Sequence, residues 1–299
     1  MSYLPTIKSC GSVLIWLVFS NSSQILWADE DIDQTKTVDP TGTVKIHNPR
    51  GDLEIHGWNR SEVQVEGDLD DLAESVQFEV DGKLTKIRVT LPTSNVNWGD
   101  GSDLSIYVPH ASRLQVDGVS ADIEVEDVSG AIAIRTVSGD VEVSGIGSNT
   151  RIETVSGDVD VDDRTGRLSV VTTSGDLDLE VDSSDVFVDT MSGDVDLQLG
   201  SFTKLAAGSV SGSLNIAGYL NQAGSIQAKT VNADIDLELT APVNAHIQAM
   251  AVVEGGISNA LTDDQPKRLH SRQTMLKTVS GDGSAQITLN TISGEIDIK

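Results

Sequence analysis

One phrase returns four times between Val137 and Leu197 and restricts the fold more than any other feature of the chain. It reads Thr136-Val137-Ser138-Gly139-Asp140-Val141-Glu142-Val143, then Thr154-Val155-Ser156-Gly157-Asp158-Val159-Asp160-Val161. It returns as Thr172-Thr173-Ser174-Gly175-Asp176-Leu177-Asp178-Leu179 and as Thr190-Met191-Ser192-Gly193-Asp194-Val195-Asp196-Leu197. The glycines fall at 139, 157, 175 and 193, an even 18-residue step. Turn-like residues also fall midway, at Gly130, Ser148, Gly166 and Ser184, so the underlying unit is half as long. A fixed period of this kind marks a chain whose units stack on one another.

Within each unit apolar residues alternate with polar ones on either side of the turn. Ile132 and Ile134, Leu168 and Val170, and Val186 and Val188 precede it; Val141 and Val143, Val159 and Val161, Leu177 and Leu179, and Val195 and Leu197 follow it. Glu142, Asp160, Asp178 and Asp196 take the alternate, solvent-facing places. A two-residue alternation that keeps one face inward in every unit specifies strands, not helices. One coil buries too few side chains to offset the entropy of ordering its backbone. Stacked coils add main-chain ladders and contacts between like side chains. The expected fold is therefore all-β, a single-stranded β-solenoid (β-helix) with 18-residue coils made of two nine-residue strand-turn units. Its glycines should form a corner column at positive φ. Its threonines (Thr136, Thr154, Thr172, Thr190, Thr230, Thr278, Thr291) should point methyls inward and pass hydroxyl hydrogen bonds up the stack. A β-sandwich of nine-residue hairpins is the alternative, but hairpins give no reason for identity at every second unit.

The rest of the chain is organised around this array. Residues 1–28 read as an export signal: Lys8, then the apolar run Val13 to Phe19, then small and polar residues up to Ala28. The run is too short to span a bilayer, and Cys10, the one cysteine, lies inside this segment. A mature chain without cysteine has no disulfide or thiol chemistry. Residues 29–42 read as a flexible leader. The β-solenoid domain covers 43–299, with irregular N-terminal coils over 43–112 and regular coils over 113–240. An excursion over 241–277, or an irregular coil, marked by Pro242, Gly255-Gly256, Pro266 and Lys267-Arg268, precedes a terminal coil over 278–299. Asp81-Gly82-Lys83 between alternating runs predicts a hairpin. The expected location is periplasmic or extracellular.

Charge narrows the partners. Leaving out residues 1–28, whose only charge is Lys8, 19 basic face 46 acidic residues, a net of −27 against −26 for the whole chain. Nucleic acid and anionic lipid both need clustered Lys and Arg, so neither is the expected partner. The regular apolar pattern argues against disorder, the usual reading of so acidic a chain.

Several stretches together carry a family resemblance: the opening Val44-Lys45-Ile46-His47-Asn48-Pro49-Arg50-Gly51-Asp52-Leu53-Glu54-Ile55-His56-Gly57-Trp58, the Ile106-Tyr107-Val108-Pro109 strand, the repeated Val-Ser-Gly-Asp, and the closing run from Gly281-Asp282-Gly283 to Ile298. Over residues 43–299 the chain resembles the bacterial "putative adhesin" family of β-strand-repeat domains of unknown function, similar in style to adhesin head domains with Gly-Ile-Asn motifs. The resemblance implies an exported right-handed β-solenoid and brings no catalytic residues with it.

Candidate chemistry is sparse. The aspartates after the turn glycine, Asp140, Asp158, Asp176 and Asp194, would form a ladder in which neighbours repel by roughly 1 kcal/mol in a water-like dielectric. Such a ladder reads either as a row of calcium sites or as a solvated edge whose carboxylates cap turn amides. Calcium-binding nonapeptide rolls use Gly-Gly-x-Gly-x-Asp, and the turn here is only Ser-Gly-Asp, which favours capping. His47 and His56 occupy equivalent places on what reads as two neighbouring strands; without a third ligand they make a weak metal site, and exposed strand histidines are the favoured reading. No phosphate loop, nucleophile elbow or metal-binding helix motif occurs. The coils between 121 and 240 lack the long loops that would wall a pocket. The expectation is a non-enzyme with no cofactor, calcium aside, that meets an envelope protein or glycan through its sheet faces; a calcium-stabilised adhesin-type solenoid is the first alternative and a polysaccharide-active β-helix enzyme the second. The 95–103 loop, with Trp98, and the 241–273 excursion are the places for a ligand site.

Overall fold

The computed structural model describes residues 25–26, 32–92, 101–145, 147, 149–163, 166–253, 255–269 and 272–299. The export segment thus lies almost wholly outside the described residues, as does Trp98. Among the described residues every regular element is a strand, and no helix is long and apolar enough to cross a membrane.

The repeat forms two stacks of parallel strands. In one, Val141–Ser144 lies between Arg113–Glu126 and Val159–Asp163, with Val141 between Ile123 and Val159. Leu177–Val181 and Val195–Ser211 continue this stack in the same register. In the other, Ile132–Arg135, Thr150–Glu153, Arg167–Val171 and Asp185–Ser192 pair in turn, with Ile152 between Ile134 and Val170. Each residue in these pairs meets its counterpart one full repeat along, as the sequence period requires. The inward side chains, Val143, Ile152, Val161, Val170 and Leu179 among them, are inaccessible to solvent. Like side chains therefore sit on like side chains, about 4.8 Å apart.

The uniform step holds only for part of the chain. Val195 pairs with Leu214 and Leu214 with Ile235, so the step grows by one position and then by three over the regular repeat. The register shifts at Leu199/Ser201 and Phe202/Lys204 absorb extra length as a bulge, and Phe202 is buried beside it.

The coil order also departs from the order in sequence. Ala285–Thr291 lies between Leu214–Asn232 and Ala245–Ala251, and Ile296–Ile298 lies between Ile235–Leu239 and Ile257–Asn259. The last coil is thus inserted between two coils that are consecutive in the chain. Of the two readings of 241–277, an excursion or an irregular coil, the pairing favours the coil. The stretch contains a coil of its own, Ala245–Ala251 with Ile257–Asn259, and Thr274–Ser280 folds back antiparallel onto it. A coil built on Ala245, Ala249 and Ala251 carries a weak apolar signal, which is why the sequence hides it.

The other end repeats the device. Thr43–Trp58 lies between Arg113–Glu126 on one side and Leu84–Thr90 with Asp103–Pro109 on the other. The predicted hairpin forms between Ser75–Asp81 and Leu84–Thr90. Glu62–Asp68 covers Asp103–Pro109 antiparallel, and Ile32–Thr37 pairs antiparallel with Glu62–Asp68. The stretch read as a flexible leader therefore includes a strand, anchored by the buried Ile32. Antiparallel strands cover both Leu84–Thr90 and Asp103–Pro109 at one end of the stack and Ala245–Ala251 at the other, limiting the open ladders on which other chains could assemble.

Candidate functional site

The phrase Ser-Gly-Asp builds one corner of the stack. Gly139, Gly157, Gly175 and Gly193 hold φ between 113° and 123°, a backbone that side chains other than glycine adopt at a cost. A Cβ on Gly157 would also stand 2.1 Å from the carbonyl oxygen of Gly139 in the preceding coil. The glycine column is thus required by conformation and by close approach at once.

The aspartates beside it are capping groups. Asp140 Oδ1 accepts the Asp158 N–H at 2.8 Å, Asp158 Oδ1 that of Asp176, and Asp176 Oδ1 that of Asp194. Asp122 serves Asp140 in the same way, and Asp194 serves Ser213 at 2.6 Å. Each coil's carboxylate therefore satisfies a corner amide of the next, a charge-assisted bond. One oxygen of each proposed calcium ligand is occupied in this way. Among the described residues no group of three or more His, Cys, Asp or Glu side chains is placed to hold a metal ion.

The threonines behave differently from the expectation. Thr136, Thr154, Thr172 and Thr190 are buried, but each hydroxyl donates to the carbonyl two residues on in its own coil, at 2.9–3.1 Å. They lock the corner from within, whereas Thr291 does reach the neighbouring coil at Ala233 O. Thr278 departs from the column and donates to Asp264 Oδ2.

The outward residues of the first stack form a second acidic column. Glu124, Glu142, Asp160, Asp178 and Asp196 stand in register, continued by Asn215, Asp236 and Asp297. Between this column and the corner aspartates runs a shallow furrow of about 440 Å³ over the coils from Asp140 to Asp196. A second stretch of it, about 300 Å³, is lined by Asp52, Glu54, Asp122 and Glu124. Partial burial, then the charges of Asp178, Glu142 and Asp162, push the Asp160 carboxyl above its ordinary range. Glu124 is raised by burial and then by Glu126, Glu142 and Glu54. Asp52 is raised by burial and then by Asp103, Asp122 and Glu54. The other stack carries much of the basic charge, already paired: Arg135 with Glu153, Arg151 with Glu153, and Arg167 with Asp185.

His47 and His56 do not meet. Both lie on Thr43–Trp58, to either side of its corner. His47 stands between Arg88 and Asp117, and His56 between Tyr107 and Glu126. Burial first, then the Arg88 charge, lowers the pKa of His47. His56 Nδ1 lies 3.0 Å from Glu126 Oε2, and its ring packs 5.3 Å from Tyr107, which in turn stacks on Trp58. The metal-pair reading fails because one strand turns the corner between the two histidines.

Two features escaped the sequence reading. The first is a buried ion pair between Arg50 and Asp70 near the opening corner. Burial pushes the Asp70 carboxyl up, but the bonds from Arg50 and the Leu72 N–H, with the Arg50 charge, hold it below the usual range. The second is a line of exposed apolar side chains along the corner. Val119, Val137, Val155, Met191, Val210 and Ile292 are 40% to 57% exposed. The ladder runs through their own backbone: Val119 O accepts the Ser138 N–H, Val137 O that of Ser156, and Val155 O that of Ser174. The signal was present as the apolar residue between Thr and Ser in each phrase, a place that alternation assigns to solvent.

The Toastrack DUF4097 family model matches residues 28–187 and again residues 164–299. The chain belongs to this family. Two solved structures are similar to it. "A putative cell adhesion protein" from Clostridium sporogenes is 12% identical with a TM-score of 0.22, covering 90% of this chain and 99% of that one. "A putative adhesin" from Bacteroides fragilis is 13% identical with a TM-score of 0.43, covering 91% and 98%. No curated protein matches the chain. In this Toastrack chain the two matches overlap over 164–187, within the regular coils.

Proposed function

We propose that this Toastrack chain is an exported, non-enzymatic β-solenoid that acts as a scaffold or adhesin-like binding surface in the bacterial cell envelope, periplasmic or extracellular. In this reading the single-stranded 18-residue coil of the regular repeat is the unit of display. It presents the same outward side chain about every 4.8 Å. The observation that carries the reading is the pair of carboxylate columns, unbroken from Asp122 to Asp194 and from Glu124 to Asp196, that flank an open furrow on the sheet face. A surface of this kind suits recognition of an extended protein or glycan better than enclosure of a small substrate. The corner aspartates contribute by capping amides, and the outer column supplies the charge that a partner meets.

The test is saturable binding of envelope glycans and envelope proteins to the purified mature chain. A variant carrying Glu142→Gln, Asp160→Asn, Asp178→Asn and Asp196→Asn runs alongside. The reading expects a bound partner whose affinity falls at least tenfold in the variant while its unfolding midpoint is retained. Turnover of a glycan would instead make the chain an enzyme, and binding indifferent to the four substitutions would remove the acidic face from the account.

A further inference from the structure

We propose that the exposed apolar line from Val119 to Ile292 is a docking ridge for a basic amphipathic helix of a partner protein. The partner's apolar stripe would lie on the ridge and its Lys and Arg would meet the acidic columns beside it. This inference rests on the binding-scaffold reading and names the partner's chemistry.

The ridge is continuous because the register makes it so. Ser120 faces Ser138, Ser156 faces Ser174 and Ser174 faces Ser192, which places the preceding residues one above another. Thr173 and the half-buried Val231 fill the two steps between the exposed members. From 119 to 292 the line crosses seven steps, on the order of 34 Å. Apolar side chains aligned in this way form a patch of the kind that marks interaction sites when it is contiguous and rimmed by polar residues.

Charge selects the occupant. An acidic residue stands three places after every exposed ridge residue except Val210, as in Val137 and Asp140 or Ile292 and Glu295, and Ser213 takes that place after Val210. A second copy would bring its own aspartates against these, and anionic lipid would be repelled in the same way. A cationic partner is attracted, both on encounter and in place. Geometry selects the helix. The corner amides of the regular coils are already bonded to aspartates, so the partner must pack through side chains and not add a strand there. An amphipathic helix repeats its apolar stripe about every 5.4 Å along its axis, close to the ridge's pitch of about 4.8 Å. An extended chain repeats a face about every 6.8 Å and loses step within two coils.

The probe is a fluorescent 18-residue Leu/Lys helix with its leucines in one stripe, titrated against the mature chain by anisotropy. A scrambled Leu/Lys peptide of the same composition and a Leu/Glu helix are the comparators. The ridge variant is Val137→Ser with Val155→Ser and Met191→Ser, and Met191→Gln alone is the milder second variant. The expected result is saturable binding of the striped Leu/Lys helix, weakened at least tenfold by the triple variant and about threefold by Met191→Gln. The scrambled and Leu/Glu peptides should bind at least tenfold more weakly than the striped helix. Equal binding by the scrambled peptide, or indifference to Met191→Gln, overturns the proposal, because bulk charge would then explain the affinity. Sedimentation with phosphatidylcholine vesicles that the triple variant abolishes, without helix binding, overturns it in favour of a membrane. If the striped helix fails while another partner's affinity still depends on Glu142, Asp160, Asp178 and Asp196, the ridge assignment falls and the scaffold reading stands.

Discussion

Replacing Asp140, Asp158, Asp176 and Asp194 together by asparagine, and separately by alanine, divides a capping role from a role for the charge itself. Each of the four carboxylates accepts one corner amide from the following coil. These bonds are solvent-exposed, so each contributes on the order of 1 kcal/mol, and alanine forfeits about 4 kcal/mol in all. The same carboxylates repel one another. At a spacing of about 4.8 Å in water each adjacent pair costs roughly 0.9 kcal/mol, about half of which survives screening at physiological salt. Counting Asp122, four adjacent contacts vanish with the charges and return about 2 kcal/mol. The alanine variant should therefore lose about 2 kcal/mol net. Asparagine keeps the accepting oxygen at roughly half the strength of a carboxylate, so its loss and the relieved repulsion nearly cancel, leaving it within about 1 kcal/mol of the parent. Urea unfolding followed by circular dichroism, with the slope monitored for loss of cooperativity, reads both differences. Asparagine as damaging as alanine would refute the capping argument. Millimolar calcium that stabilises the parent and not the asparagine variant would do the same, and would return the row to an ion-binding role.

The remaining expectations concern the corner and the pH response. Gly157→Ala forces a Cβ against Gly139 O at positive φ and should cost at least about 2 kcal/mol, whereas Gly147→Ala, whose Cβ would meet only Ser129 at 3.7 Å, should be near neutral in the same urea assay. Arg50→Met strands the buried Asp70 carboxylate and should cost about 3 kcal/mol, largely recovered by adding Asp70→Asn. The folded chain holds the protons of Asp160, Glu124 and Asp52 more tightly than the unfolded chain does, so these groups make stability rise as pH falls through their raised values toward the ordinary carboxylate range. Asp70 and Glu153 are held below their ordinary range, and what they contribute is lost as pH falls through those lower values. A melting temperature that rises as pH enters the upper carboxylate range and drops at more acid pH is the expected profile, and a fall with no intervening rise would contradict it.

Much of this architecture is legible in the chain because the repeat is short and its demands are local. The glycines at 139, 157, 175 and 193 announce both the coil length and the corner, since each must accept positive φ beneath another backbone. The Asp81-Gly82 hairpin is equally local. The insertion of Ala285–Thr291 between Leu214–Asn232 and Ala245–Ala251 is not legible, because any coil with inward apolar residues fits beside any other, and sequence order alone suggests the wrong neighbour. The column to which Thr154 belongs is legible, but its hydroxyl's acceptor, Ser156 O in its own coil, is not, because alternation fixes which face a side chain takes and not the carbonyl it finds there. His47 and His56 look like neighbours in the sequence because Asn48-Pro49-Arg50-Gly51 reads as a turn between two pairing strands, whereas Gly51, at φ 97°, carries the chain through a corner that sends the two halves to different stacks. The apolar line through Val137 and Met191 was visible in the phrase itself. It is understood only once the stacking turns one exposed residue per coil into a continuous surface.

Both the capping ladder and the proposed surfaces depend on each phrase lying directly on its copy in the neighbouring coil. Oxidative cross-linking of paired cysteines, with Cys10 replaced, measures that register directly. Glu142 and Asp160 are direct partners in neighbouring coils, about 4.8 Å apart and inside the range a disulfide spans. Glu142 and Asp178 are two coils apart and outside it. The stacked-coil account predicts rapid intramolecular cross-linking of Glu142→Cys with Asp160→Cys and none of Glu142→Cys with Asp178→Cys. Equal cross-linking of the two pairs, or failure of the first in a folded protein, would contradict it.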